Sequence, residues 1–448
     1  MLLILKIITM FRKIGISISI AAFSLGFAQN IDKQKLDDYF NALDKNHKVM
    51  GSFAIADKGK VIYTHAIGFS DAESQKKADV NTIYRIGSIT KTFTAVLIMK
   101  AVEEKKLTLD TQLSKFFPKI KNADKIKIEF LLNHRSGIHS YTDDKEYGSY
   151  YTQPIAKEKL IAIIEKGGSD FEPNTQFEYS NSNYTILTYI LEKVYGKKYS
   201  ELIQKYIAKP LQLQYTQVGG KIDVSKNNAY SYDYENGKYI KSPETDMSVP
   251  SGAGCMISTP SELIAFMNGL TSGKLVSKES FEAMRQFKDH YGFALTEVPF
   301  GEKKGFGHTG GIDEFRSVLY YFPDGEKTIA MITNQSDFDN NQMSIVALQA
   351  AYGIDFQIPD FKVVEVSNAD LEPLTGNYSS PTVPLKINIF LKDKKLMAQA
   401  SGQSAFPLEA VYKTSFTFDA AGIKIDFNPA KKEFVISQGG TKNTFTKE

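Results

Sequence analysis

The sequence predicts an α+β protein: an antiparallel sheet flanked by helices with a mostly helical insert, followed by a small all-β barrel domain. Three observations predict it. A β-hairpin pattern stands near each end of the first 355 residues, over 51–69 and 315–334. Between the hairpins, helical periodicities alternate with long polar loops, so the two hairpins can share one sheet with the helical part inserted between them. Beyond residue 370 the pattern changes to short alternating runs broken by Asp, Gly, Asn and Pro, the pattern of a sandwich or small barrel.

Residues 31–46 set Ile31, Leu36, Tyr39, Phe40 and Leu43 along one side of an amphipathic helix. In the first hairpin an apolar arm meets an Asp57-Lys58-Gly59-Lys60 turn and returns through Val61, Ile62 and Tyr63. Residues 83–87 read as an extended approach with a glycine break. The next helix begins at Ser88 and runs to about residue 105, with Phe93, Val96, Leu97, Ala101 and Val102 at helical spacing. Two further helical patterns cover 184–194 and 200–207, and Pro210 is expected to stop the second. The late hairpin has arms at 315–322 and 327–334 about a Pro323-Asp324-Gly325-Glu326 turn, and a helix over 342–352 follows. The expected division is a leader at 1–28, a main domain at 30–355, a linker at 356–369 and an all-β domain at 370–448.

The leader is expected from Lys6, Arg12 and Lys13, which precede an apolar, acid-free stretch over 14–27 and the small-residue pattern Gly26-Phe27-Ala28. Met10 offers an alternative start, with Arg12 and Lys13 next to it. The expectation is a cleaved signal peptide and a periplasmic or extracellular protein, with no membrane anchor. The formal charge of +3 comes from the leader alone: without its three basic residues, 51 basic side chains face 51 acidic ones. That balance gives no reason to expect nucleic acid as a partner; a small-molecule or peptide substrate is expected. Cys255 is the single cysteine, so no intramolecular disulfide can form, and its small apolar neighbours point to an inert buried thiol. The six histidines show no zinc-motif spacing. No metal or cofactor is expected.

Three short motifs carry chemistry. In Ser88-Ile89-Thr90-Lys91 the serine and lysine share a helix face. A neutral lysine amine can take the proton from a serine hydroxyl, which is a poor nucleophile until that happens. The helix N-terminus adds free backbone N–H groups beside the hydroxyl. Ser74-Gln75-Lys76-Lys77 matches the same spacing but sits in a charged stretch that reads as a solvated turn. Tyr179-Ser180-Asn181 ends a loop at a helix start, where the phenol can be aimed into a cleft; Tyr39-Phe40-Asn41 and Tyr234-Glu235-Asn236 match it on a helix face and in a polar loop. A phenol held between cationic groups is expected to have a lowered pKa and to shuttle a proton, and Asn181 can bond a substrate amide. His308-Thr309-Gly310-Gly311 precedes the late hairpin, which suggests an inner edge strand. Its glycines admit a substrate backbone, and the Gly311 N–H can pair with that of Ser88 as an oxyanion hole.

Taken together and in this order, the motifs resemble the serine beta-lactamase and penicillin-binding protein pattern of Ser-x-x-Lys, then Ser/Tyr-x-Asn, then a Lys-Thr-Gly-like strand. The tyrosine narrows the resemblance to the class C beta-lactamase-like serine hydrolases, a family that includes D,D-carboxypeptidases, esterases and D-amino acid peptidases. The stretches 84–88, 131–137, 173–183 and 251–260 are similar to that family as well, and Leu374-Thr375-Gly376-Asn377-Tyr378 resembles the lipocalin-like β-domain that follows some members. The resemblance implies a beta-lactamase/transpeptidase-like fold with Ser88 as nucleophile. It implies Lys91 and Tyr179 as base and proton relay, and Asn181, His308, Thr309, Gly310 and Gly311 as substrate-binding residues. The family usually carries lysine where this chain has His308. A histidine holds a carboxylate less firmly than lysine, which turns the expectation from a dedicated lactamase toward a peptidase or esterase acting on a D-amino acid peptide, a cell-wall peptide or a small ester. The alternatives are a beta-lactam hydrolase and an inactive ligand-binding or sensing protein of the same fold. An α/β-hydrolase is disfavoured because the chain has no Gly-x-Ser-x-Gly.

Overall fold

Residues 31–361, 364–439 and 441–448 are described by a computed structural model. The expected leader and both candidate starts lie outside the described residues.

The main sheet has six strands in the spatial order 296–300, 303–312, 315–322, 327–336, 49–57 and 60–67, every neighbouring pair antiparallel. The two hairpins of the sequence therefore join edge to edge, with Val49–Asp57 pairing Lys327–Ser336 at the centre. Side chains of a strand alternate between faces, and the 49–57 strand uses both. Phe53 and Ile55 enter one core with Leu36, Phe40 and Leu43 of the Lys33–Lys45 helix and with Met343 and Ala347 of the Asn340–Ala351 helix. Ala54 and Ala56 enter the other core, which includes Phe93 and Phe266. Phe40 stacks on Phe53 at 3.9 Å between ring centroids. The Thr90–Glu103 helix is buried nearly all round, its threonines and Lys91 included, and its Phe93 stacks on Phe266 at 3.7 Å.

Two expectations are corrected. The 303–312 strand is second from the edge, because Thr296–Phe300 pairs outside it. That outer strand contains Pro299, which lacks an N–H and suits an edge. Pro210 does not stop the preceding helix. The α-helix Tyr199–Ile203 widens into a π-turn over Gln204–Ala208, and the helix continues through Pro210 to Leu211. A π-turn shifts the hydrogen-bond register, which accommodates a residue with no N–H to give. The chain leaves the helix at Gln212, with φ of 58°.

The last eight strands, within 376–447, form a closed antiparallel barrel. Its core is separate from those of the sheet and is filled by aromatic rings. Tyr378 lies 4.7 Å from Phe434, which stacks on Phe445 at 5.2 Å. Lys48 reaches from the sheet end of the molecule to Glu409 at 3.0 Å and Asp419 at 3.1 Å on the barrel. A Cβ at Gly422 would lie 2.6 Å from Asp339 Oδ2, so barrel and helix start meet closely there.

One buried ion pair fixes the approach to Ser88. Arg85 and Asp313 are 2% and 1% exposed, with Arg85 Nη1 2.7 Å from Asp313 Oδ2. Nη1 also donates to Thr245 O, while Asp313 Oδ1 accepts from Thr245 N and Thr245 Oγ1. Asp313 stands at the tip of the 303–322 hairpin with φ of 50°. The pair ties that tip to the strand leading into Ser88. Removing one partner of a buried pair leaves the other charge unpaired and costs about 3–5 kcal/mol. Asp313→Ala is therefore expected to lower the urea unfolding free energy by about that amount; a loss below about 1 kcal/mol would show that the pair does not fix this junction.

Candidate active site

Ser88 sits in a 3₁₀ turn, Gly87–Ile89, immediately before the 90–103 helix, and Lys91 follows in the first helical turn. The i, i+3 relation survives the tighter turn, and Lys91 Nζ lies 3.0 Å from Ser88 Oγ. Lys91 is wholly buried. Burial drives its pKa well below 10.5, because a desolvated ammonium loses its hydration. Its other neighbours are Asn181 Oδ1 at 2.7 Å and Ala253 O at 2.8 Å, and both accept only. A neutral amine has two hydrogens and one lone pair. The two hydrogens go to these oxygens, and the lone pair is left facing the Ser88 hydroxyl.

Tyr179 comes from the loop before the Asn181–Tyr195 helix, and its phenol neighbours the Ser88 hydroxyl closely enough for the hydroxyl to act on its ionisation. Lys91 Nζ lies 4.7 Å from the centre of its ring, and His134 packs on it at 4.3 Å. The expected lowering of the Tyr179 pKa is corrected. Burial pushes the phenol above its ordinary range, and the neighbouring Ser88 hydroxyl offsets this only in part. Tyr179 is therefore a protonated donor at neutral pH.

Asn181 does more than face a substrate: Oδ1 holds Lys91 and Nδ2 donates to Thr142 Oγ1 at 2.9 Å. Gly310 and Gly311 bring the 303–312 strand against the serine turn. A Cβ at Gly310 would fall 2.1 Å from Ile86 O and 3.0 Å from Ser88 N, and one at Gly87 would fall 2.7 Å from Gly311 N. Only glycine permits this approach, which sets the backbone N–H groups of Ser88 and Gly311 beside one cleft.

His308 is buried and Thr309 is exposed; neither lines the cleft that holds Ser88. His308 Nδ1–H donates to Thr309 O at 2.5 Å, so Nε2 is the acceptor for the Tyr291 hydroxyl at 3.0 Å. Burial, with the charge of Lys91 in its protonated form as a second cause, pushes the imidazole down to about 4. His308 is thus a neutral internal group that braces Tyr291.

The decoy motifs separate cleanly. Ser74 Oγ donates to Asp71 Oδ2 at 2.6 Å on a surface turn. Tyr39 packs in the core of the first helix, and Tyr234 packs on His47. Two contributors went unassigned in the sequence. His134 accepts from Ser180 N at 3.1 Å and supports the Tyr179 ring, and Tyr291 closes the back of the site against His308. The signal for His134 was present in the family-like stretch 131–137; Tyr291 had none.

The chain matches the beta-lactamase family model over residues 36–352. It is 23% identical over 445 residues to penicillin-binding protein 4* of Bacillus subtilis (strain 168), covering 92% of this chain and 97% of the other. It is 25% identical over 300 residues to teichoic acid D-alanine hydrolase of Staphylococcus aureus, covering 63% of this chain and 74% of that one. The crystal structure of a D-stereospecific amidohydrolase from Streptomyces sp. superposes with a TM-score of 0.61 at 26% identity, covering 70% of this chain and 98% of the other. With the family's sheet, its serine–lysine turn and a family match across most of its length, the chain belongs to the beta-lactamase family and is a serine hydrolase.

Proposed function

We propose that the chain is an exported hydrolase that forms an acyl-enzyme on Ser88 and cleaves an amide or ester of a D-amino acid. The observation that carries this reading is the coordination of Lys91: two acceptor-only oxygens take its hydrogens and leave its lone pair on the Ser88 hydroxyl. The Ser88 proton passes to Lys91 as Oγ attacks the carbonyl carbon. The oxyanion is received by the N–H groups of Ser88 and Gly311. Tyr179, kept protonated by burial, gives its proton to the leaving group and is reprotonated from Lys91. Water then repeats the sequence to release the acid and free Ser88.

The substrate class rests on what the relatives are. One is a teichoic acid D-alanine hydrolase and another a D-stereospecific amidohydrolase, which supports a D-aminoacyl ester or amide. The neutral, inward-turned His308 supports the same choice over a beta-lactam, since no fixed charge stands where the family's lysine would hold a carboxylate. The basic and apolar residues before position 28 support export. The separate aromatic core of the barrel supports its reading as an independent domain outside the chemistry.

A fluorophosphonate probe is expected to label wild type, and Ser88→Ala to abolish labelling while Ser74→Ala leaves it intact; peptide mapping of the adduct checks this, and a label elsewhere would overturn the nucleophile. Lys91→Ala and Tyr179→Phe are each expected to lower kcat by roughly 10²-fold or more. In wild type, kcat should rise with pH as the Lys91 ammonium loses its proton, with a midpoint well below 10.5. It should then stay flat into the alkaline range, because Tyr179 ionises late. A profile for a neutral ester that falls between neutrality and pH ~9, with the ordinary phenol near ~10, would contradict these protonation states. A chain ending at residue 355 is expected to keep Ser88 labelling; loss of labelling from a folded truncation would place the barrel in the active site.

A further inference from the structure

The cleft that holds Ser88 has a volume of about 420 Å³, and its wall has a consistent sign. Asp233, Asp313 and Glu314 line it, and no lysine or arginine side chain does. The two arginines nearby are already paired with these carboxylates. Arg85 is buried on Asp313, and Arg316 is paired with Glu314 at 3.0 Å. Asp233 differs from the other two: it is exposed on the 232–235 strand, and its carboxylate makes no hydrogen bond or ion pair among the described residues. Burial raises the Glu314 pKa, its partner Arg316 opposes this, and Asp233 and Asp313 push with burial, so Glu314 feels both neighbouring carboxylates. An unpaired cation entering the cleft would relieve that repulsion; an anion would add to it.

Another part of the wall is aromatic. Tyr147 and Tyr151, both half-buried, are stacked at 5.6 Å, and Tyr147 also packs on Tyr141 at 6.2 Å. All three line the same cleft. Tyrosine faces attract ammonium groups through the ring quadrupole. Carboxylate and aromatic faces together recognise an organic cation better than either does alone.

We infer that this cleft selects substrates bearing a free ammonium group, with Asp233 as the specificity-determining carboxylate and the Tyr147–Tyr151 pair as the aromatic wall beside it. The inference rests on the acyl-enzyme reading above and adds the charge of the substrate to it. An aminoacyl group with an unblocked α-amine has the required chemistry on the acyl side; a cationic alcohol or amine leaving group has it on the other. Substrates whose distinguishing group is a carboxylate are turned away.

The test is a set of kcat/KM ratios on the full chain. D-alanine methyl ester against its N-acetyl derivative reads an acyl-side ammonium, and acetylcholine against ethyl acetate reads a leaving-group cation. Wild type is expected to favour the charged member of the first pair by about 5- to 10-fold at low ionic strength, with the preference falling as salt is added. A preference confined to the second pair supports the ammonium site and moves it to the leaving-group side. Asp233→Asn should collapse the ratio toward one, and Asp233→Lys should invert it in favour of an N-succinyl ester; a residue that only supported the fold would change both members of a pair alike. Ratios near one in both wild-type pairs, or ratios that Asp233→Asn leaves unmoved, would overturn the inference. If those results come with normal fluorophosphonate labelling of Ser88, the acyl-enzyme reading stands alone; if wild type is not labelled at Ser88, both fall.

Discussion

The site depends on keeping one lysine uncharged. An ammonium at position 91 would have a third hydrogen and no lone pair, and the Ser88 hydroxyl would then have no base. The fold disfavours this by removing water from the amine, and acceptor oxygens of Asn181 and Ala253 fix where the hydrogens of the neutral amine point. These oxygens come from far along the chain, the second 162 residues away. Packing of the 90–103, 181–195 and 251–253 segments is therefore part of the acid–base chemistry and not a scaffold separate from it.

The same dry environment settles the neighbouring groups. His134 and His308 are both held neutral by burial, and Tyr179 is held protonated by it. A neutral lysine beside a protonated phenol divides the work into a base that waits for a proton and an acid that holds one. His308 replaces a charge that the family usually keeps near its substrate with an internal hydrogen bond to Tyr291. The charge that remains at the cleft is negative.

Much of this was legible in the sequence where the physics is local. The Ser88–Lys91 spacing, the two hairpins, the 340–351 helix and the alternating runs of the barrel all follow from periods of two or 3.6 residues and from turn residues. The third motif was placed on the correct strand but at the wrong position in the sheet, because the Val298-Pro299-Phe300 stretch gives a weak strand signal. Pro210 misled because the rule for an α-helix does not foresee a π-turn. The protonation of Tyr179 was misread for a different reason. Its pKa is set by depth and by the state of Lys91, and neither can be read from a tripeptide. That Asn181 Oδ1 also holds Lys91 could not be read from the sequence, because the two residues stand 90 positions apart.

The central pairing of the sheet has a consequence for how the molecule comes into being. The first strand, Val49–Asp57, has as its inner neighbour Lys327–Ser336, and Ser317 Oγ closes on Ile86 O across 231 residues of chain. A polypeptide emerging from the ribosome makes its N-terminal hairpin early and then carries it with one open, apolar edge until the last hairpin arrives. Such distant pairings close slowly, because the loop entropy must be overcome before the contact forms. An open edge during that interval is a site for misassociation. The serine turn and the glycine strand that abuts it therefore meet only once the last hairpin of the main sheet has been made, and until then Ser88 and the Gly311 N–H stay apart.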